Sequence, residues 1–326
     1  MEELLRVNNL SIGIRNVHDE NKVLGAVEGI SFNIKSGEIL GIVGESGAGK
    51  TLTALSIPGL LGENMEATGG EVNFSGRNLL ACHEKELQAI RGKEISMIFQ
   101  EPFSSLNPLV KVGAQITETL ELHGEKDKAL AQSKAEELME RLGLPESKKL
   151  ALTYPHRLSG GMCQRVMIAL AVIGRPRLLI ADEPTTALDF DTQGQILALL
   201  REINEEMGTS ILFISHDLEV IKNLCGRVLV MYSGRILEEG TTDEVFFHPA
   251  HEYTRCLLNS VPDRARKGMD LAAIPGKIPS LEEGRPQGCP FHPRCGKAVP
   301  RCREGFPPEK AVSATHATRC VLAEGR

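Results

Sequence analysis

The chain has 326 residues, 41% hydrophobic and 25% charged, with a formal net charge of −6. These ordinary globular proportions exclude a collagenous or disordered chain, and no apolar run reaches the ~20 residues a membrane-spanning helix needs. With no Trp and 4% aromatic residues, a base-stacking surface is poorly supplied, so no nucleic-acid partner is expected.

The opening Met1-Glu2-Glu3-Leu4-Leu5 is acidic and leads into no long apolar stretch, unlike a secretory signal, so a reducing cytosolic setting is expected. Leu5–Ile14 and Val27–Ile34 read as strands of an antiparallel layer, and Glu38–Val43 as a compact apolar strand meeting a glycine-rich loop. Val72–Phe74 is a further strand. Across 113–143, Gln115, Ile116, Thr119, Leu120, Ala129, Ala135, Leu138, Met139 and Leu142 recur at helical spacing, which predicts an inserted helical segment. From residue 158 strands and helices alternate: a helix over Ser159–Ile173 with Ser159 as N-cap, a strand at Arg177–Ala181, a helix over Asp191–Met207 and a strand at Ser210–Ser215. Such alternation implies a parallel sheet covered on both faces. Arg227–Tyr232 and Arg235–Glu239 then form a hairpin about Ser233-Gly234.

Gly44-Glu45-Ser46-Gly47-Ala48-Gly49-Lys50-Thr51 satisfies G-x-x-x-x-G-K-[ST] between a strand and a helix-compatible run. Glycines let the backbone N–H groups converge on an anion, and the helix N-terminus adds partial positive charge. Lys50 is expected on the β- and γ-phosphates and the Thr51 hydroxyl on Mg²⁺. The apolar strand Leu178-Leu179-Ile180-Ala181 ends in Asp182 and Glu183. Asp182 can hold Mg²⁺ and Glu183 can orient or deprotonate an attacking water. Leu158-Ser159-Gly160-Gly161-Met162 opens a helix with two adjacent glycines and no evident local reason for them. Gln100 and His216 each end a strand, and Asp189 lies just beyond Glu183.

Taken in this order, the motifs resemble those of the ATP-binding subunits of ABC transporters, over the whole chain. The resemblance implies an α/β P-loop NTPase fold: a mixed-sheet core, an antiparallel β layer, an inserted helical subdomain over about 103–158 and on to about 173, and a small Cys-rich extension. It makes Gly44–Thr51 the Walker A loop, Gln100 the Q-loop glutamine (a Mg²⁺ ligand with Thr51 and Asp182), Leu158–Met162 the signature with Ser159, Gly160 and Gly161 as its phosphate contacts, Asp182 the Walker B aspartate, Glu183 the catalytic carboxylate, Asp189 the D-loop aspartate and His216 the switch histidine. It further implies two such subunits closing head to tail on two ATP molecules, each signature facing the other's phosphate loop. Two departures stand out. Met162 replaces the usual Gln of the signature, with Gln164 two residues on, and residues 1–31 carry no aromatic to stack on adenine, leaving Val17, His18 or Val23.

His248-Pro249-Ala250-His251-Glu252-Tyr253-Thr254, Leu257-Leu258, Ile274-Pro275-Gly276 and Gly288-Cys289-Pro290-Phe291-His292-Pro293-Arg294-Cys295 are similar to the oligopeptide/dipeptide/nickel branch of importers. Residues 1–260 then form the ATPase domain and 261–326 the extension, which holds nine of the seventeen prolines and cannot bury much core without a staple. Cys289, Cys295, Cys302 and Cys320 follow C-x5-C-x6-C-x17-C, enough thiolates for a [4Fe–4S] cluster, with Zn²⁺ or free thiols as alternatives. The other four cysteines, Cys82, Cys163, Cys225 and Cys256, read as small buried or half-buried side chains.

The expected activity is ATP hydrolysis powering peptide import. The expected partners are a second ATPase subunit (a different one rather than an identical copy), two transmembrane permeases and, indirectly, an extracytoplasmic solute-binding protein, with the chain on the cytoplasmic face of the membrane. A nickel or other small-solute importer, an exporter cassette, a small-molecule kinase and a soluble ABC-type ATPase acting on nucleic acid or the ribosome remain alternatives.

Overall fold

A computed structural model describes residues 2–16, 22–186, 188–260 and 273–323. In chain order its strands and helices are β1 (Glu3–Arg15), β2 (Val23–Lys35), β3 (Ile39–Val43), α1 (Lys50–Ser56), β4 (Met65–Phe74), β5 (Arg77–Asn78), α2 (Glu84–Ile90), β6 (Ile95–Ile98), α3 (Pro102–Ser105), α4 (Val112–Leu122), α5 (Lys128–Arg141), α6 (Ser147–Ala151) and α7 (Gly160–Val172). There follow β7 (Leu178–Asp182), α8 (Phe190–Met207), β8 (Ser210–Ser215), α9 (Leu218–Leu224), β9 (Arg227–Tyr232), β10 (Arg235–Thr241), α10 (Thr242–Phe247), α11 (Glu252–Asn259), β11 (Lys310–Ala311) and β12 (Ala317–Thr318). No helix among the described residues is long and apolar enough to cross a membrane.

The chain divides into two compact units. One comprises Met1–Glu2, Lys35–Glu38 and Ala81–Ile214. In it β6, β7 and β8 pair in parallel, with Ile98 opposite Ala181 and Asp182 opposite Ile214. All of β7 and β8 is buried, as expected of parallel strands covered on both faces. The helical segment expected over 113–143 is present as two helices, α4 and α5. Gly124 adopts φ 104°, and the Asp127 carboxylate caps α5 by accepting from the N–H groups of Ala129 (2.9 Å) and Leu130 (3.1 Å). Gly113 is where α4 and α6 touch, because a β-carbon there would lie 2.8 Å from the Ala151 β-carbon.

The other unit comprises Glu3–Ile34, Ile39–Leu80 and Ser215–Arg326. It holds the antiparallel layer, ordered β2-β1-β4-β5. β1 buries Leu5 and Val7, then Leu10 and Ile12, a change of phase that a strict period of two forbids. An irregularity in the β1–β4 register makes the change: Asn9 turns left-handed (φ 48°) against Gly70 (φ 89°), where a β-carbon would lie 2.4 Å from the Asn9 carbonyl. A mixed sheet, β11-β12-β10-β9-β3, forms the rest. β3 and β9 run parallel, β9 and β10 form the expected hairpin through Ser233 (φ 47°) and Gly234 (φ 75°), and β12 adds antiparallel to β10.

The Pro-rich extension is tied into this second unit by β12 and by Arg285 as well as by apolar burial. Arg285 donates to the carbonyls of Ser233 and Ala26 and to the Glu28 carboxylate, and Phe291 is fully buried against Tyr232 and Tyr253, with ring centroids 5.5 and 5.2 Å away. The cysteines outside the extension behave as expected: Cys163 and Cys225 are buried, Cys82 and Cys256 half-buried. Val17 and His18, two candidates for the adenine contact, lie outside the described residues. The third, Val23, opens β2 and packs over Gly13, where its Cγ1 leaves no room for a β-carbon.

Candidate nucleotide site

The phosphate loop is built in the second unit, where buried β3 gives way to α1. Gly44 must be glycine: a β-carbon would lie 2.2 Å from the Met231 carbonyl oxygen at the end of β9. Gly47 and Gly49 take φ of 81° and 97°, in the left-handed region. The loop's far side is tied down by the Gly234 N–H donating to the Ala48 carbonyl at 2.8 Å. Lys50 is buried, and its Nζ folds back to the carbonyls of Gly44 (2.9 Å) and Glu45 (3.2 Å). No side-chain hydrogen bond caps the first turn of α1 and no acidic residue occupies it, which suits an anion at this helix start. Ser46, Gly47 and Thr51 are exposed.

Glu45 is held from two directions that the sequence does not reveal. Its N–H donates to the Tyr253 hydroxyl at 3.0 Å, and its carboxylate receives both guanidinium nitrogens of Arg294, each at 3.0 Å. Burial pushes the Tyr253 phenol well above its usual pKa, so it stays protonated. The only sequence signal for these two residues is their place in the His-Pro-Ala-His-Glu-Tyr and His-Pro-Arg-Cys runs. His216, in this second unit, is exposed.

The acidic pair is built in the first unit. Asp182 ends β7 and is 2% exposed. Glu183, one residue on, adopts a left-handed backbone (φ 48°), a conformation costing a non-glycine residue about 1 kcal/mol or more. Its N–H donates to the Ile214 carbonyl at 2.9 Å, which fixes the turn. Its Oε2 accepts from Gln100 Nε2 at 3.2 Å and from the Thr186 hydroxyl at 3.0 Å. The structure therefore brings Gln100 and Glu183 together, a pairing that their separation in sequence does not reveal.

The signature residues open α7 as expected. Ser159 is its N-cap, with the hydroxyl accepting from the Met162 N–H at 3.3 Å. Gly160 has room, since a β-carbon would meet only Phe103 Cε2 at 3.9 Å. Gly161 corrects the expectation that neither glycine has a local reason: a β-carbon there would press on Thr192 Cγ2 at 3.1 Å. Asp189 likewise has a local task. It caps α8, accepting from the Thr192 N–H (2.9 Å) and hydroxyl (2.8 Å), and the first of these bonds is the main cause of its lowered pKa. Gln164 is buried in α7, so it does not stand in for the glutamine that Met162 replaces.

In the extension Cys289, Cys302 and Cys320 are buried and Cys295 half-buried, and all are free thiols. Burial, and then the neighbouring Cys320, Cys302 and Cys295, push the Cys289 thiol up to about 12. His251 Nδ1 accepts from the Tyr253 N–H, which leaves the proton on Nε2, 3.7 Å from Cys289 Sγ. Among the described residues no group of three or more His, Cys, Asp or Glu is set to hold a metal ion, so the expected metal site on these four cysteines, iron–sulfur or zinc, is not formed here.

Known proteins place this arrangement. The family model for the ABC transporter matches residues 27–186, and that for the oligopeptide/dipeptide transporter C-terminal region matches residues 237–302. The chain is 48% identical over 305 residues to the probable peptide ABC transporter ATP-binding protein y4tR of Sinorhizobium fredii, covering 93% of this chain and 91% of that protein. It is 45% identical to the oligopeptide transport ATP-binding protein OppD of Salmonella typhimurium (97% and 93% covered) and 40% identical to the dipeptide transport ATP-binding protein DppD of Escherichia coli (97% and 96%). Among solved structures, the dimeric post-hydrolysis state of the ATP-binding cassette MJ0796 bound to ADP and Pi matches with a TM-score of 0.66 at 29% identity, covering 73% of this chain and 99% of that one.

Proposed function

This chain belongs to the ATP-binding subunits of the oligopeptide/dipeptide ABC transporters, and on that premise we propose how its residues divide the work of ATP hydrolysis. The chain is the ATPase subunit of a peptide importer. The loop Gly44–Thr51 binds the triphosphate, with Lys50 leaving the Gly44 and Glu45 carbonyls for the β- and γ-phosphates. The residues present fit Mg²⁺: the Thr51 hydroxyl, the Asp182 carboxylate and the Gln100 amide oxygen are hard oxygen donors. These residues would hold the ion, which would supply charge neutralisation at the phosphates. Glu183 takes the proton of the attacking water, and Gln100 and Thr186 hold its carboxylate in one orientation. His216 contacts the γ-phosphate. Ser159, Gly160 and Gly161 are offered to a second subunit's nucleotide, and Asp189 fixes the start of α8 at that face.

Residues 1–260 are the ATPase domain and 261–326 the extension. The assembly is a pair of related but different ATPase subunits, on the cytoplasmic face of the membrane beneath two permeases served by an external solute-binding protein. The observation that carries the hydrolysis reading is Glu183, a strained carboxylate following the Asp182 strand and braced by Gln100. Glu183→Gln should keep ATP binding and slow hydrolysis by about two orders of magnitude, the scale of losing a positioned base. Near-normal phosphate release by that variant in the peptide-stimulated membrane complex would reject the assignment.

The four extension thiols carry a second, narrower reading, a [4Fe–4S] cluster on Cys289, Cys295, Cys302 and Cys320. Supporting it are the four thiols themselves, enough for such a cluster, which are buried or half-buried, with Cys289 near enough to feel the other three. Its part here is to cross-link a segment poor in core. Anaerobic purification should yield a brown protein with iron and acid-labile sulfide; a colourless protein with stoichiometric zinc would remove the cluster.

A further inference from the structure

Glu45 is an acidic side chain in a loop that must receive the anionic triphosphate, and Arg294 is committed to it entirely. All five N–H bonds of the guanidinium are used: Nε donates to the Pro275 carbonyl (2.7 Å), one terminal nitrogen to Glu45 (3.0 Å) and the Tyr232 hydroxyl (3.2 Å), the other to Glu45 (3.0 Å) and the Ile274 carbonyl (3.5 Å). The Arg294 side chain is 6% exposed and that of Glu45 27%. The residue is presented by a tight turn, His292–Arg294, between Cys289 and Cys295. Its backbone is fixed by Arg294 N–H to the Phe291 carbonyl, and the Phe291 ring packs on Tyr232 and Tyr253. Tyr253 in turn accepts the Glu45 N–H. Two of the chain's three tyrosines thus sit beneath one residue of the phosphate loop.

We propose that Arg294 is a positioning residue for ATP binding: it neutralises Glu45 and holds it aside, so that the phosphate loop takes up the triphosphate only when the Cys-rich extension is folded against it. The inference rests on the reading of Gly44–Thr51 as the nucleotide loop and adds a residue outside it. An acidic group next to the triphosphate repels it by an amount that falls as salt is added. Arg294 cancels that charge with a two-pronged bond that lysine cannot copy.

The test is calorimetric titration of the full-length chain with Mg-ATP, at low and high salt, beside thermal unfolding without nucleotide. Arg294→Ala should weaken ATP binding about tenfold at low salt, and by less at high salt. Adding Glu45→Gln to Arg294→Ala should restore most of the affinity, because the exposed charge is then gone. A merely structural arginine would show no such rescue. The proposal is overturned if Arg294→Ala binds ATP within twofold of the wild type, or if the double variant binds no better than the single one. Should Arg294→Ala fail to fold, Arg294→Gln is judged by the same two criteria. Failure of the wild-type chain to bind ATP would instead reject the nucleotide-loop reading.

Discussion

Glu244 carries a carboxylate that the unfolded chain has no means of holding. In the capping box of α10 it accepts from the Thr241 N–H (3.0 Å) and hydroxyl (2.8 Å), and it also receives the hydroxyls of Ser313 (2.5 Å) and Thr315 from the extension. Burial opposes its charge, but these bonds outweigh burial and bring its pKa down from 4.5 to about 2. The folded value lies below the unfolded one, so the stabilisation is complete above about pH 4.5 and is lost as pH falls toward 2. Part of that shift is screened by water, so Glu244→Gln should cost about 1–2 kcal/mol at neutral pH. The gap between variant and wild type should close as acid denaturation is followed down to about pH 2. A gap that persists at the lowest pH would mean that packing rather than charge is at work. Residue chemistry of this kind was partly legible from sequence. The phosphate loop, Ser159 and the Asp182–Glu183 pair announce themselves because their spacing is local. Arg294 and Tyr253 do not, because they meet Glu45 across 249 and 208 residues and only the folded chain supplies the contact.

At the scale of elements, the sequence shows where an element lies better than how it bends. β8 and β9 run as their apolar runs predict, yet β1 changes its buried face midway. No alternation rule foresees this, since the left-handed turn at Asn9 depends on Gly70 from another strand. Within 113–143 the apolar spacing marks a helical segment but not its break, which Gly124 and the Asp127 cap create. Gly70 provides a test. A β-carbon there would face the Asn9 carbonyl at 2.4 Å, and φ is 89°, which an L side chain rarely adopts. Both partners are backbone and cannot swing aside. Gly70→Ala should therefore destabilise the antiparallel layer by about 2 kcal/mol or more while leaving Mg-ATP affinity in the folded fraction unchanged. Thermal unfolding and nucleotide titration of one preparation would check both halves. An unaltered melting temperature would show that the bulge relaxes freely.

For the whole molecule, the open question is why α7 should begin with two glycines. Gly161 has an answer within one chain, its approach to Thr192, so substituting it confounds folding with assembly. Gly160 separates the two. Only Phe103 Cε2, at 3.9 Å, stands near a β-carbon placed there, and the position is the first of a helix, where an acidic side chain meets favourable partial charge. Gly160→Asp should therefore leave the melting temperature and Mg-ATP affinity of the isolated chain within error of the wild type. If Ser159 and Gly160 are offered to a neighbouring subunit's triphosphate, the added carboxylate will repel that triphosphate strongly once water is excluded. In a Glu183→Gln background, where hydrolysis no longer empties the site, ATP should drive the chain into dimers, with itself or with its paired ATPase subunit. Adding Gly160→Asp should then abolish them. Sedimentation with and without ATP reads the result directly. Dimers that survive the aspartate would mean that the glycine faces solvent in the assembly, and that the two subunits meet through some other surface.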